Sequence, residues 1–112
     1  MPAIDPLTRR SIDLFLARVR PRYRIVEAWL YGSRARGDAR EDSDVDLALV
    51  IEGDMDTPTS VGAEMGGDGF DVLLETKRLV SPLPIALHEW RAPHTHANPF
   101  LLENVRREGV RL

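Results

Sequence analysis

The chain has 112 residues, with 43% hydrophobic and 29% charged side chains and a formal net charge of −3, which fits a single globular domain over 1–112 and excludes a disordered chain. It has no cysteine, so disulfides, thiol catalysis and cysteine-ligated zinc are excluded. Its sequence has neither an apolar run of membrane-spanning length nor a signal-peptide pattern, so we expect a cytoplasmic protein without membrane contact.

The first half of the chain predicts one helix and two strands. Residues 6–20 carry apolar side chains at helical spacing, after an Asp-Pro pair typical of a helix start, and Pro21 ends this helix. Residues 25–31 are rich in β-branched and aromatic side chains, and 45–51 form an apolar run. Both segments are typical of strands.

The second half predicts two helices and a third strand. Thr57 can cap a short helix of about two turns before the following glycines stop it. Residues 70–75 predict the third strand, and 81–90 hold two prolines with turn or helical character. A last helix begins after Asn98 and ends at Gly109. This order predicts an α/β (α+β) fold, with helices packed on a small mixed β-sheet.

Two carboxylates stand at the start of the second strand. Asp44 and Asp46 are one residue apart, so strand alternation places both on the same face. Residues 37–75 hold twelve acids and one arginine, and such a segment repels itself unless cations lie near it. A divalent metal or the flanking arginines could supply that charge, and a solvated strand end is the plainer alternative for the pair.

Asp71 can complete a set of three acids. It lies near the start of the predicted third strand, and a strand beside the second would bring its carboxylate to the same edge. Three acids at adjacent strand ends could hold two metal ions that flank a phosphoryl transfer.

The turn after the first strand suits an anion. Gly32 and Ser33 offer close backbone approach, free N–H groups and a hydroxyl, which are typical of phosphate binding. Arg34 and Arg36 add positive charge on the same turn. These two arginines can equally form ion pairs with neighbouring acids.

Together these residues carry a family resemblance. The segment "GSRARGDAREDSDVDLAL", residues 32–49, places Gly-Ser ten residues before Asp-Val-Asp. It resembles the signature of the polymerase-beta-like nucleotidyltransferases, and in particular the minimal nucleotidyltransferases (MNT) of bacteria and archaea. The tail "NPFLLENVRREGVRL" is also similar to stand-alone members of that group.

The resemblance implies a role for each matched position. Gly32 and Ser33 would contact the β- and γ-phosphates of ATP. Asp44 and Asp46 would bind Mg²⁺, with two ions expected, and Asp71 would be the third ligand and activate the acceptor hydroxyl. The implied reaction transfers AMP from ATP to a hydroxyl and releases pyrophosphate.

The resemblance also implies a partner. Stand-alone members of this kind resemble antitoxins paired with a small helical HEPN-type RNase toxin, in which AMP is added to a toxin tyrosine. Assembly with a second copy of the chain is open as well. The arginines of residues 18–24 are typical of a solvated helix end and turn, and no nucleic-acid-binding motif accompanies them, so we expect no direct nucleic-acid binding.

Two alternative functions remain open. In one, the acceptor is a small hydroxyl-bearing molecule such as an aminoglycoside. In the other, the chain neutralises its partner by contact and the site is vestigial. Incorporation of a label from ATP into the partner, a small molecule or neither distinguishes these readings.

Overall fold

The computed structural model describes residues 4–112 and contains helices and strands in mixed order. The elements are α1 (Pro6–Val19), β1 (Ile25–Tyr31), α2 (Ser33–Arg36), β2 (Val45–Ile51), α3 (Pro58–Thr76), β3 (Val80–Ala86), α4 (Leu87–Arg91), a 3-10 turn (Pro93–Thr95), α5 (Pro99–Glu108) and β4 (Val110–Arg111).

The strands form one mixed sheet in the order β3-β2-β1-β4. β1 runs antiparallel to β2 and β4, whereas β2 and β3 are parallel. A parallel pair needs a crossover connection, and α3 provides it. The mixed sheet with helices packed on it confirms the predicted α/β fold class.

The sheet lies between two layers of helices. Leu47, Leu49 and Ile51 face a core formed with α1 and α3. Ala48 and Val50 alternate with them and face the second core, where α4 and α5 pack. In the described part of the chain, no helix is long and apolar enough to cross a membrane.

The predicted helices at the two ends and the first two strands are confirmed. The Asp5 carboxylate caps α1 by accepting a hydrogen bond from the Thr8 backbone N–H at 2.9 Å. The Asn98 side chain caps α5 in the same way, accepting from the Leu101 N–H at 3.2 Å. Each cap satisfies a backbone donor that has no partner within its helix.

The predicted third strand at 70–75 is wrong, because these residues belong to α3. Thr57 caps this helix as expected, but the glycines do not stop it. Its buried stripe follows helical spacing and includes polar and small members: Val61, Met65, Asp68, Gly69, Val72 and Thr76. Phe70 and Leu74, which suggest alternation in the sequence, are 53% and 70% exposed.

The third strand is β3, within the segment expected to be irregular. Pro82 and Pro84 pair with β2 residues, and β3 is an edge strand. Proline lacks an N–H donor, and an edge strand tolerates it where that position faces away from its neighbour. The two prolines are therefore compatible with a strand here, although they hide it in the sequence.

Candidate active site

The candidate site lies where β1 ends and β2 begins. Because these strands are antiparallel, the last residue of β1, Tyr31, pairs directly with Asp46 near the start of β2. Gly32 and Ser33 follow Tyr31 at once. The topology therefore brings the glycine-serine turn next to Asp46, as the sequence pattern predicts.

Gly32 fits closely against Asp46. Its φ is 73°, and a Cβ atom at this position would lie 2.3 Å from Asp46 Oδ2. Residues with a side chain rarely adopt this backbone conformation, and the space a Cβ needs is already filled by the carboxylate. Only glycine allows the turn and the acid to approach so closely.

In the part of the chain that the structure describes, neither carboxylate has a cationic side chain within ion-pair distance. Among residues 4–112, no Lys, Arg or His nitrogen lies within 4.0 Å of the Asp44 or Asp46 carboxylate. Burial raises the pKa of Asp46, the Asp44 charge raises it further, and Arg36 opposes this only in part. The pair is thus a site of unbalanced negative charge.

The turn after Gly32 forms a single short helix, α2. Its first hydrogen bonds run from the Ala35 and Arg36 N–H groups to the Gly32 carbonyl, at 3.1 and 3.0 Å. The N–H groups at the start of a helix have no partner within it. Gly37 ends α2 in the left-handed conformation, with φ of 85°. Ser33 and the first backbone donors of α2 therefore follow directly after Gly32, the residue that lies against Asp46.

Arg34 supports the loop and does not face outward. Its side chain is 5% exposed. Its guanidinium donates to the carbonyl oxygens of Arg40, Glu41 and Ser43, at 3.1, 3.1 and 2.7 Å. These contacts hold the loop that leads into Asp44. The Arg34 guanidinium is thus held by backbone carbonyls and lies 3.7 Å from the Asp5 carboxylate, in place of the ion pairs with neighbouring acids that the sequence suggests. Its contact with phosphate stays a prediction.

Arg36 is placed differently from Arg34. It is exposed and contacts Asp38 Oδ2 at 3.4 Å and Glu108 Oε2 at 3.5 Å. Both contacts are long and solvent-exposed, and such pairs contribute little to stability. Arg36 therefore remains a cation near Asp46 that can exchange partners.

The expectation that Asp71 joins Asp44 and Asp46 at a sheet edge is wrong. Asp71 lies on α3, which covers the face of β2 opposite to the one that carries Asp46. Its carboxylate accepts a hydrogen bond from Arg18 Nη2 at 2.5 Å. Within residues 4–112 no three His, Cys, Asp or Glu side chains are grouped so that they could hold a metal ion.

Arginines contact three of the four acids of α3, which supports the second of the two explanations for the acidic middle. Arg18 contacts Asp68 and Asp71, and Arg22 contacts Glu64 and Asp68. All three acids are therefore paired to residues at the end of α1 and in the following turn. Asp44 and Asp46 have no comparable arginine contact among residues 4–112.

The Asp44–Asp46 pair fits one hard divalent cation that it shares with another ligand. Carboxylate oxygens are the ligands that Mg²⁺ prefers, and Mg²⁺ commonly takes one or two of them together with phosphates and water. The absence of a competing cation and the half-burial of Asp46 are consistent with this use. A second ion would lack the third carboxylate, because Asp71, which the sequence predicts as that ligand, does not lie at the site.

Two further residues at this edge escaped the sequence reading. Tyr31 and Ser81 are the direct strand partners of Asp46 on its two sides. Burial, followed by the Asp46 charge, raises the pKa of Tyr31 to about 12, so the phenol is neutral. Ser81 could not be assigned without the register of β3, which the sequence does not reveal, whereas Tyr31 follows from the antiparallel pairing of β1 with β2.

Comparison with known proteins gives a family and a fold. The polymerase beta nucleotidyltransferase family matches residues 16–112. A candidate nucleotidyltransferase from Sulfolobus solfataricus has a crystal structure similar to this chain, with a TM-score of 0.52 and 20% identity. The match covers 94% of this chain and 81% of that one, and it shows a common fold. No curated protein matches the chain.

Proposed function

Because the chain belongs to the polymerase beta nucleotidyltransferase family, we propose that it binds a metal–nucleoside triphosphate at Asp44 and Asp46 and transfers the nucleotide to a hydroxyl. One observation carries this proposal. Asp46 lies directly against the Gly32–Ser33 turn, because a Cβ atom added at Gly32 would lie 2.3 Å from Asp46 Oδ2, and strand alternation places Asp44 on the same face as Asp46. A cation-binding pair and an anion-binding turn are thus adjacent.

Each residue has a defined role in the proposal. Asp44 and Asp46 are the protein ligands of Mg²⁺, and members of this family generally use a nucleoside triphosphate with divalent metal. Gly32 and Ser33 contact the β- and γ-phosphates through backbone N–H groups and the hydroxyl. Arg36 supplies positive charge to the phosphates when it leaves its exposed acid partners. Arg34 acts indirectly, by holding the loop before Asp44.

The chain's own residues fix the reacting groups and balance their charge. The acceptor oxygen forms a bond to the α-phosphorus, the bond to the bridging oxygen breaks, and pyrophosphate leaves with its charge facing Ser33 and Arg36. The proton of the acceptor hydroxyl passes to solvent water, which reaches the open site. Bound Mg²⁺ would stabilise the developing negative charge and lower the pKa of the acceptor hydroxyl.

We propose ATP as the nucleotide and a tyrosine of a HEPN-type toxin as the acceptor, so that the chain acts as an antitoxin. The resemblance of residues 32–49 to the minimal nucleotidyltransferases supports this choice. The open position of the site also supports it, because Asp44 is exposed. Two clefts of the structure, one between α1 and α3 and one beyond the end of β2, are lined by neither acid. An acceptor presented on a protein surface suits such a site.

A labelling experiment tests the proposed function. The chain is incubated with Mg²⁺ and ATP labelled at the α-phosphate, with and without the protein encoded by the adjacent gene. Label on a tyrosine of that protein, lost in Asp44→Asn/Asp46→Asn, is the expected result. Asp71→Asn is the matched control and should retain labelling, because Asp71 pairs with Arg18 away from the site.

Other outcomes select the alternative functions. Label found only on added hydroxyl-bearing small molecules contradicts the protein acceptor but keeps nucleotide transfer. No label on any acceptor, with toxin neutralised equally by Asp44→Asn/Asp46→Asn, contradicts catalysis and supports neutralisation by contact.

A further inference from the structure

The residue beside Asp46 on β3 is neutral. The parallel register of β2 and β3 pairs Asp46 with Ser81. Paired residues of adjacent strands place their side chains on the same face, and the strands lie about 4.8 Å apart. β3 therefore contributes the Ser81 hydroxyl at this edge of the site, where an acidic residue at the same position would supply a third carboxylate.

No acid from elsewhere replaces it in the part of the chain that the structure describes. On the other side of Asp46, β1 contributes Tyr31. Asp71 is paired to Arg18 on the opposite layer, and no group of three potential metal-ligating side chains occurs in residues 4–112. The chain thus offers two carboxylates, Asp44 and Asp46, to a divalent ion.

The number and charge of the ligands set the affinity of an oxygen site for a divalent cation. Two carboxylates leave most positions of an octahedral ion to be filled by other oxygens. A triphosphate supplies such oxygens with additional negative charge. A site of this composition gains most of its affinity for the ion from the nucleotide.

We propose that Ser81 makes metal binding dependent on the nucleotide: the chain takes up the metal–triphosphate complex and binds the free ion only weakly. This inference rests on the proposed function, because it requires Asp44 and Asp46 to be metal ligands. It goes further by assigning to Ser81 the control of free-metal affinity.

Substitution of Ser81 tests the assignment through metal binding alone. Ser81→Asp adds a carboxylate beside Asp46, and Ser81→Asn is the matched control of similar shape without charge. Free Mn²⁺ is followed by electron paramagnetic resonance as it is titrated into each protein without nucleotide. We expect Ser81→Asp to bind Mn²⁺ at least about tenfold more tightly than the wild type and Ser81→Asn to bind it no more tightly.

A second measurement uses the wild-type chain and does not depend on folding of the variant. Calorimetry compares binding of free Mn²⁺ with binding of the Mn²⁺ complex of α,β-methylene-ATP, which cannot transfer AMP. The complex should bind at least about tenfold more tightly than the free ion. Asp46→Asn is included and should lose binding of the complex.

The outcomes separate this inference from the proposed function. Equal affinity of the wild type for free Mn²⁺ and for the complex overturns the role of Ser81, and so does an equal gain in Ser81→Asp and Ser81→Asn. Loss of complex binding in Asp46→Asn would still support the proposed function in those cases. If the wild type does not bind the complex, or Asp46→Asn binds it equally well, the proposed function and this inference both fail.

Discussion

Gly32 lies at the closest contact in the candidate site, and its replacement has two separable consequences. Gly32→Ala combines a positive φ with a Cβ atom 2.3 Å from Asp46 Oδ2. We expect it to lower the free energy of unfolding by about 1–3 kcal/mol and to abolish binding of Mg²⁺–ATP. Chemical denaturation and calorimetry measure the two effects.

Gly53→Ala is the matched control for this prediction. Gly53 has a similar φ of 90°, but a Cβ there meets no atom within 4 Å. The Gly53→Ala variant has the same backbone strain as Gly32→Ala but no contact with Asp46. It should therefore be less stable than the wild type and should still bind the nucleotide. If both variants bind Mg²⁺–ATP like the wild type, the close approach at Gly32 has no role in the site.

Asp5 gives a prediction for the pH dependence of stability. Burial alone would raise the pKa of Asp5, but hydrogen bonds from Thr8 and the charges of Arg78 and Arg34 outweigh it and lower the pKa below its usual 3.8. A lowered pKa in the folded state means that the ionised carboxylate stabilises the fold above pH 3.8. This contribution is lost as the pH falls through the lowered folded value.

Two substitutions separate the charge of Asp5 from its capping role. Asp5→Ala removes the cap of α1 and should cost about 1 kcal/mol at neutral pH. Asp5→Asn keeps a capping oxygen and removes the charge, so the difference from wild type should disappear in acid. Thermal unfolding of both variants between pH 7 and pH 2 measures this, because the difference is lost only as the pH falls below 3.8. A difference between Asp5→Asn and wild type that does not change with pH contradicts the assignment.

At the scale of elements, two glycines of α3 have different structural roles. A Cβ on Gly69 would lie 2.2 Å from the Val80 carbonyl oxygen of β3, whereas one on Gly66 would meet no atom within 4 Å. Gly69 therefore allows the helix to pack closely on the sheet, and Gly66 only weakens the helix. Gly66→Ala should raise the free energy of unfolding by about 0.5–1 kcal/mol, and Gly69→Ala should lower it. Denaturant titration of both variants tests this, and stabilisation by Gly69→Ala would contradict the close packing.

α3 is the element for which the prediction from sequence is wrong. Elements with clear end signals could be predicted, because Asp5 and Asn98 cap α1 and α5 by side-chain hydrogen bonds. α3 could not be predicted in full, since its buried stripe includes Asp68 and Gly69 in place of apolar residues. Tertiary contacts with α1 and β3 compensate for these residues, and such contacts cannot be read from local propensity.

The candidate site was predictable only where it depends on local sequence. Gly32, Ser33, Asp44 and Asp46 come from one segment whose geometry follows from a strand, a turn and a strand. A third position depends on which strand neighbours β2, and that strand is hidden by its prolines. The error over Asp71 follows directly from the misassigned strand.

At the scale of the whole molecule, ion pairs connect α3 to the end of α1 and the turn after it. Asp68 is 8% exposed, and both Arg18 and Arg22 contact it. Arg22→Gln leaves this largely buried carboxylate with one longer contact, of 3.5 Å to Arg18. We expect a loss of about 1–3 kcal/mol in the free energy of unfolding, measured by denaturant titration.

Arg24→Gln is the matched control for the ion-pair prediction. Its partner Glu52 is exposed and the contact is 3.5 Å, so the cost should be about 0–1 kcal/mol and should vanish in high salt. Equal losses in the two variants would show that burial of Asp68 does not set the strength of the network.

The central claim is that Asp44 and Asp46, and no acid of α3, bind the metal–nucleotide. Calorimetric titration of the chain with ATP, in the presence and absence of Mg²⁺, tests it most directly. We predict saturable binding that requires Mg²⁺, that is lost in Asp44→Asn/Asp46→Asn and that is unchanged in Asp71→Asn. Binding that persists without Asp44 and Asp46, or that disappears with Asp71→Asn, would contradict the claim.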